Sequence, residues 1–96
     1  MVKELTLELP KELTIFTIYP FKEEVISKLE EKKNLIFDCY QVERLDAAGI
    51  QLLLSLEKTF LKEKISLKLD NISKEIEETL KLLGVNEILD YEMREE

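Results

Sequence analysis

The most informative part of the chain is the stretch Leu35-Ile36-Phe37-Asp38-Cys39-Tyr40-Gln41-Val42-Glu43-Arg44-Leu45-Asp46-Ala47-Ala48-Gly49-Ile50-Gln51-Leu52-Leu53-Leu54. It begins with an almost continuous apolar run from Leu35 to Cys39, which is typical of a central strand covered on both faces. A polar connection then leads to Asp46, whose short carboxylate can cap a helix that begins at Ala47. The stretch therefore predicts a strand, a loop and a helix that runs to about Lys62.

The helix start, Asp46-Ala47-Ala48-Gly49, is open to two interpretations. The amides and dipole of a helix N-terminus suit an anion or an acidic group, and residues without side chains let another surface approach. Alternatively, the small residues let this helix pack tightly against Tyr40 or the central strand. A glycine in a helix costs up to about 1 kcal/mol relative to alanine, so we expect one of these two gains to compensate. The residues alone do not choose between them.

Patterns before this stretch predict two strands and a helix. Residues 5–9 alternate between apolar and polar, residues 10–12 form a turn that contains Pro10, and residues 13–18 are rich in β-branched side chains. These features predict a β-hairpin. Pro20 suits the first turn of a helix, which we expect to end near Lys33-Asn34.

Patterns after this stretch predict one more strand and one more helix. Residues 65–69 alternate again, Ser73 is a candidate cap for a third helix, and Gly84 fits the end of that helix. We expect Val85, Ile88 and Leu89 to fold back onto the domain, and residues 91–96 to form a flexible acidic tail. The predicted order is β-β-α-β-α-β-α in a single α/β domain over residues 1–96, with helices packed against a mixed sheet.

The composition excludes several classes of function. The chain has 14 Lys plus Arg against 21 Asp plus Glu, a net charge of -7, so nucleic acid and anionic membrane surfaces would be repelled. It has no histidine, which excludes imidazole metal sites and histidine-activated nucleophiles. The two glycines, Gly49 and Gly84, cannot form a glycine-rich phosphate loop. We therefore expect no enzyme activity, no cofactor and no metal.

Two further features concern the cellular compartment. Charged residues near the N-terminus and the lack of a span-length apolar segment argue against a secretory signal and against membrane insertion. The single cysteine, Cys39, lies in the apolar run, which favours a buried thiol over a reactive one. We therefore expect a soluble, cytoplasmic protein.

Residues 35–54 resemble the central strand, loop and second helix of STAS domains, the fold of bacterial anti-sigma factor antagonists. The family pattern is an apolar strand, a valine or leucine in the loop, and then Asp-Ser/Thr-Ser/Ala-Gly-Leu/Ile. Two segments, Leu9-Pro10-Lys11-Glu12-Leu13-Thr14-Ile15-Phe16 and Gly49-Ile50-Gln51-Leu52-Leu53-Leu54, are similar to the STAS subgroup associated with chemotaxis gene clusters. Residues 71–85 also match the last helix of the family. The resemblance covers nearly the whole chain and implies a four- to five-stranded sheet with helices against it.

The resemblance also implies a protein-binding surface at the start of the second helix. We expect this surface to comprise Tyr40, Gln41, Asp46, Ala47, Ala48, Gly49 and Gln51. In typical antagonists, the residue after the motif aspartate is a serine or threonine that the partner kinase phosphorylates, and the added charge and bulk expel the partner. Ala47 occupies this position here, so no phosphorylation is expected at it. The Gly-x-Leu/Ile-Asp segment common after the second strand is also replaced, by Thr17-Ile18-Tyr19-Pro20.

Three functions follow from these observations. The leading one is a non-catalytic STAS adaptor in bacterial signalling, transcription regulation or chemotaxis, which binds an anti-sigma factor-like protein, a histidine kinase or another signalling component constitutively. An alternative is an accessory STAS subunit of a lipid-asymmetry ABC transporter. The third is an enzyme or nucleotide binder that uses Asp38 and Asp46, which the lack of histidine and of a glycine-rich loop disfavours. Whether two copies pair as a homodimer stays open.

Overall fold

A computed structural model describes residues 3–83 and 90–93. Its elements, in chain order, are β1 (Glu4–Glu8), β2 (Glu12–Leu13), α1 (Ile18–Leu29), β3 (Asn34–Asp38), β4 (Arg44–Leu45), α2 (Ala47–Lys62), β5 (Leu67–Ile72), α3 (Lys74–Leu82) and β6 (Asp90–Met93).

The main sheet has four strands in the order β1-β3-β5-β6, and each neighbouring pair is parallel. Helices connect the successive strands, as parallel pairing requires. Strands β2 and β4 form a separate, two-stranded parallel sheet. The α/β fold class is therefore confirmed, and four strands is the lower end of the predicted number.

The predicted hairpin and the predicted mixed sheet are wrong. Strand β1 pairs with β3, and β2 pairs with β4, so the first two strands do not pair with each other. The predicted second strand shortens to Glu12–Leu13, because the hydroxyl of Thr17 accepts a hydrogen bond from the Thr14 amide and donates one to the Glu12 carbonyl. Threonine hydroxyls can compete with a strand for backbone groups in this way. Helix α1 then begins at Ile18, with Pro20 still in its first turn.

The C-terminal part of the described chain also differs from the prediction. Strand β5 begins at Leu67 and extends to Ile72, and Asp90–Met93 forms strand β6 beside it instead of the start of a tail. The pairing with β5 is a long-range contact that an acidic local sequence does not reveal. The predictions for Gly84, Val85, Ile88, Leu89 and residues 94–96 fall outside the described residues.

The core lies between the helices and one face of the main sheet. In β3, Leu35 and Phe37 are buried, and the ring of Phe21 on α1 contacts Phe37 edge to face at a centroid distance of 5.3 Å. Helix α2 buries Leu53 and Phe60 in the same cluster. This packing fixes the position of α2, and with it the position of Asp46 at its start.

Candidate functional site

Asp46 caps helix α2 and also holds a second segment of the chain. Its backbone is extended (φ -110°, ψ -178°), and its Oδ1 accepts a hydrogen bond of 2.9 Å from the Gly49 amide. Its Oδ2 accepts a hydrogen bond of 3.1 Å from the Ile15 amide, in the loop between β2 and α1. The hydrogen bond from Gly49, followed by that from Ile15, lowers the pKa of the Asp46 carboxyl. The carboxylate is therefore charged at neutral pH.

Gly49 is a close-packing position. It is buried, and a Cβ atom on it would collide with the carbonyl oxygen of Leu13 and lie 2.9 Å from Cδ1 of Leu45. The close packing that offsets the low helix propensity of glycine is therefore against Leu13 on β2 and Leu45 on β4. It is not against Tyr40 or the central strand. Because Gly49 faces inward, it supports the helix start and is not itself available to a partner.

The other predicted site residues on α2 differ in their exposure. Ala47 and Gln51 are exposed, whereas Ala48 is half-buried. Ala47 directly follows the Asp46 cap in the first turn of α2. Ala47 and Gln51 are thus the fully exposed positions among the predicted site residues on α2.

Tyr40 and Gln41 lie in the connection between β3 and β4. The side chain of Tyr40 is 62% exposed, and its amide donates to Oδ1 of Asp38. The side-chain amide of Gln41 donates a hydrogen bond of 2.7 Å to the carbonyl of Leu9. Gln41 therefore ties this connection to the end of β1, while Tyr40 presents its ring to solvent.

The β2–α1 loop carries exposed apolar residues that the sequence patterns did not identify as a site. Ile15 is 64% exposed and Phe16 is 90% exposed, and Tyr19 follows in the first turn of α1. The β-branched residues of this run favour a strand over residues 13–18, and a strand prediction does not reveal an exposed loop. The Thr14-x-x-Thr17 spacing, which allows hydroxyls to satisfy the loop amides, is the signal that could have corrected this assignment.

This loop is ordered by hydrogen bonds to each of its four amides. The Thr14 amide donates to the Thr17 hydroxyl, and the Phe16 amide donates to the Thr14 hydroxyl. The Thr17 amide donates to the Thr14 carbonyl, and the Ile15 amide donates to Asp46. The exposed side chains of Ile15 and Phe16 are therefore held by a fixed backbone that is attached to the start of α2.

A family model for the STAS domain matches residues 2–96. This chain belongs to the STAS family. STAS domains in general are non-catalytic binding domains that mediate interactions between proteins. No curated protein matches the chain. The resemblance of residues 35–54 to this family is thus confirmed, and the similarity to the chemotaxis subgroup stays a prediction.

In this STAS domain, the two aspartates considered for catalysis have structural hydrogen bonds. Oδ1 of Asp38 accepts from the Tyr40 amide and from the side-chain amide of Asn71, and Asp46 is the cap described above. Cys39, which follows Asp38 in the sequence, is buried. This burial raises the pKa of its thiol to about 12. These groups stabilise strand ends, a helix start and the core.

Among the described residues of this STAS domain, no helix is long and apolar enough to cross a membrane. Within the same residues, no group of three or more acidic or cysteine side chains is arranged to hold a metal ion.

Proposed function

We propose that this STAS domain is a cytoplasmic adaptor that docks a partner protein through a surface formed by Ala47, Gln51, Ile15 and Phe16. We call these four residues the docking surface. The observation that carries the proposal is the double role of Asp46, whose carboxylate binds both the first turn of α2 and the amide of Ile15. One side chain thereby joins two exposed segments into a single prearranged surface.

The composition of the docking surface suits a protein partner. Phe16 and Ile15 present large apolar side chains to solvent, and a partner that covers them would remove this area from water. Beside them, Ala47 offers almost no side chain, so a partner can approach the backbone of the helix start closely. Tyr40 stays a predicted member of the interface, as an exposed aromatic residue of the neighbouring connection.

Phosphorylation at the start of α2 would not control binding at this surface. Ala47 occupies the position that carries the phosphorylatable hydroxyl in typical antagonists, and Ala48 lacks a hydroxyl as well. Without a hydroxyl at this position, a kinase partner cannot place a phosphate there. The protein would then act as a permanent component of a signalling or transcription-regulating complex, with a chemotaxis complex as one candidate.

The test is affinity capture from native lysate with the wild type and with two single variants of α2. Ala47→Arg places a large charge on the docking surface, and Ser55→Arg places the same charge on an exposed position two turns further along the same helix. We expect Ala47→Arg to lose a partner that the wild type and Ser55→Arg both retain. If all three proteins capture the same partner equally, the docking surface lies elsewhere.

The identity of the captured protein separates the two functional classes. A histidine kinase or an anti-sigma factor-like protein supports the signalling adaptor. A transporter ATPase would support the alternative, an accessory subunit of a lipid-asymmetry transporter. Gly49→Arg is unsuitable for this experiment, because the packing of Gly49 against Leu13 means that this variant would disturb the fold.

A further inference from the structure

A groove of about 490 Å³ lies between the end of β1, the β2–α1 loop and the first turns of α1. We call it the β1–α1 groove. Its apolar lining residues are Pro10, Phe16, Pro20 and Phe21, and its charged lining residues are Glu8 and Glu24. Phe16 belongs to both the groove and the docking surface, so a partner bound at one reaches the other.

The charge of the β1–α1 groove is entirely negative. Lys11 and Lys22 are near its lining residues in the sequence, but neither lines the groove. Within the described part of the chain, neither Glu8 nor Glu24 forms an ion pair with a lysine or arginine. Glu8 and Glu24 therefore lie at an apolar groove without a salt bridge to any residue that the structure describes.

Two further carboxylates lie in register with Glu8 across the main sheet, although they do not line the groove. Glu8 is in register with Asp38 on β3, and Asp38 is in register with Asp70 on β5. Residues in register on neighbouring parallel strands lie on the same face of the sheet. Glu8 at the end of β1, Asp38 at the end of β3 and Asp70, two residues before the end of β5, therefore share one face. Like charges placed together favour the approach of a cation.

The backbone of the β2–α1 loop and the ring of Phe21 give the apolar part of the groove a fixed frame. Phe21 is buried against Phe37 of the core, and the hydrogen-bonded loop holds the backbone of Phe16 while its ring is almost fully exposed. Because the backbone at Phe16 is already held, a partner that covers the ring restricts only the side-chain torsions of this residue. The groove is therefore suited to an apolar side chain that enters between the two phenylalanines.

We propose that the β1–α1 groove binds a basic, apolar segment of the partner protein, with an apolar side chain against Phe16 and a lysine or arginine facing Glu8 and Glu24. This inference rests on the proposed function, because it assigns a chemistry to the partner of the docking surface. The net charge of -7 makes a second copy of this chain a poor occupant, since two acidic surfaces repel each other.

The experiment uses displayed random peptides of about 12 residues, a length that covers one recognition segment, selected on the full chain. Enriched peptides are synthesised with a fluorescent label, and their affinities are measured by anisotropy. We expect the enriched peptides to carry lysine or arginine next to a large apolar residue. We also expect their affinity to fall when the salt concentration is raised, because charges at the surface are screened.

Two groove variants and two matched controls locate the binding. Phe16→Ser and the double variant Glu8→Gln/Glu24→Gln should each weaken binding by about tenfold or more, because they remove the apolar contact or the charge-assisted contacts. Leu82→Ser and Glu30→Gln/Glu78→Gln change similarly exposed residues outside the groove and should leave the affinity within about twofold. Neutral or acidic peptides, equal affinities in all variants, or no enrichment would overturn the proposal.

Lysate capture with Ala47→Arg and with Glu8→Gln/Glu24→Gln separates this proposal from the proposed function. If Ala47→Arg loses the partner captured from lysate while Glu8→Gln/Glu24→Gln retains it, the docking surface stands and the assignment of the groove is wrong. If Glu8→Gln/Glu24→Gln loses the partner and Ala47→Arg retains it, the result supports the assignment of the groove, and the docking surface at α2 is wrong. Sedimentation velocity measures whether the protein is a monomer or a dimer. If the wild type is a dimer and Phe16→Ser is a monomer, the groove binds a second copy of the chain and the proposal is overturned.

Discussion

The carboxylate of Asp46 accepts a hydrogen bond from the amide of Ile15, which precedes it by 31 residues in the chain. The same carboxylate caps α2 through the amide of Gly49. A helix cap is normally a local device, with its acceptor and donor a few residues apart. Here it also positions the loop that exposes Ile15 and Phe16, so the stability of the helix start and the shape of the docking surface depend on one side chain.

Asp46→Ala should destabilise the protein more than Ser73→Ala does. Ser73 caps α3 through one hydrogen bond to the Ile76 amide, and its loss should cost about 1 kcal/mol. Asp46→Ala removes two hydrogen bonds instead of one. Urea denaturation of the wild type and both variants measures the difference, and equal losses would show that the bond to Ile15 contributes nothing to stability.

The contribution of Asp46 should depend on pH. Its pKa in the folded protein is below the ordinary value of 3.8, so the charged form is favoured by folding. The resulting stability is present above the ordinary pKa and is lost as the pH falls through the lower, folded pKa. The stability advantage of the wild type over Asp46→Asn should therefore shrink as the pH is lowered from neutral to below 3.8. An advantage that stays constant over this range would contradict the assigned role of the charge.

Gly49→Ala should destabilise the protein, although alanine is the better helix former. Helix propensity favours alanine by up to about 1 kcal/mol, but the added Cβ would meet the backbone carbonyl of Leu13, which cannot move aside like a side-chain tip. We expect a net loss of about 1–3 kcal/mol in the free energy of unfolding. Ser55→Ala, at an exposed position of the same helix, is the control and should be neutral or slightly stabilising. A stabilised Gly49→Ala protein would show that α2 can shift away from β2.

The part of this fold that the sequence predicts well depends on local signals. The bounds of α2, Ala47–Lys62, agree with the prediction, because the cap, the apolar periodicity and the final lysine all lie within the helix or next to it. The central strand agrees within one residue for a similar reason, since its apolar run is continuous. The cap at Asp46 and the helix start at Ala47 are accordingly predictable from the residues themselves, whereas their part in partner binding stays a prediction.

The part that the sequence does not predict depends on contacts between distant segments. Strands β1 and β2 follow each other closely, yet each pairs with a strand more than 25 positions further along the chain. The partner of Gly49 is a backbone carbonyl on β2, and the fixed loop around Phe16 needs Asp46 to complete it. Neither contact leaves a periodic pattern, so the packing role of Gly49 and the exposure of Phe16 became visible only in the folded chain.

Ala47→Asp should weaken partner binding without weakening the fold. An acidic side chain in the first turn of a helix interacts favourably with the helix dipole and should stabilise α2 by about 0.3–1 kcal/mol. The same charge would be buried without a counter-charge when the partner covers the docking surface, so we expect affinity to fall by about tenfold or more. Ala47→Ser should change neither the stability of the fold nor the affinity for the partner by much. Isothermal titration with the captured partner and thermal unfolding together test this, and unchanged affinity in Ala47→Asp would remove Ala47 from the interface.

The thiol of Cys39 should be inert in the folded protein and should make stability fall at alkaline pH. Burial, and then the negative charges of Asp38 and Asp70, raise its pKa from 9.0 to about 12. Thiol reagents attack the thiolate, so the wild type should react with a disulfide reagent at pH 8 only after urea unfolds it.

The pH dependence follows from the same shift. Because the folded pKa is higher, the protonated thiol stabilises the fold below pH 9.0, and this contribution is lost as the pH rises towards about 12. Cys39→Ala removes the titrating group and leaves the lysines and tyrosines unchanged, so it is the matched reference. The free energy of unfolding of the wild type should fall relative to that of Cys39→Ala between these two pH values. A constant difference, or rapid labelling of the folded wild type, would show that the thiol reaches solvent and that the core around β3 opens at this position.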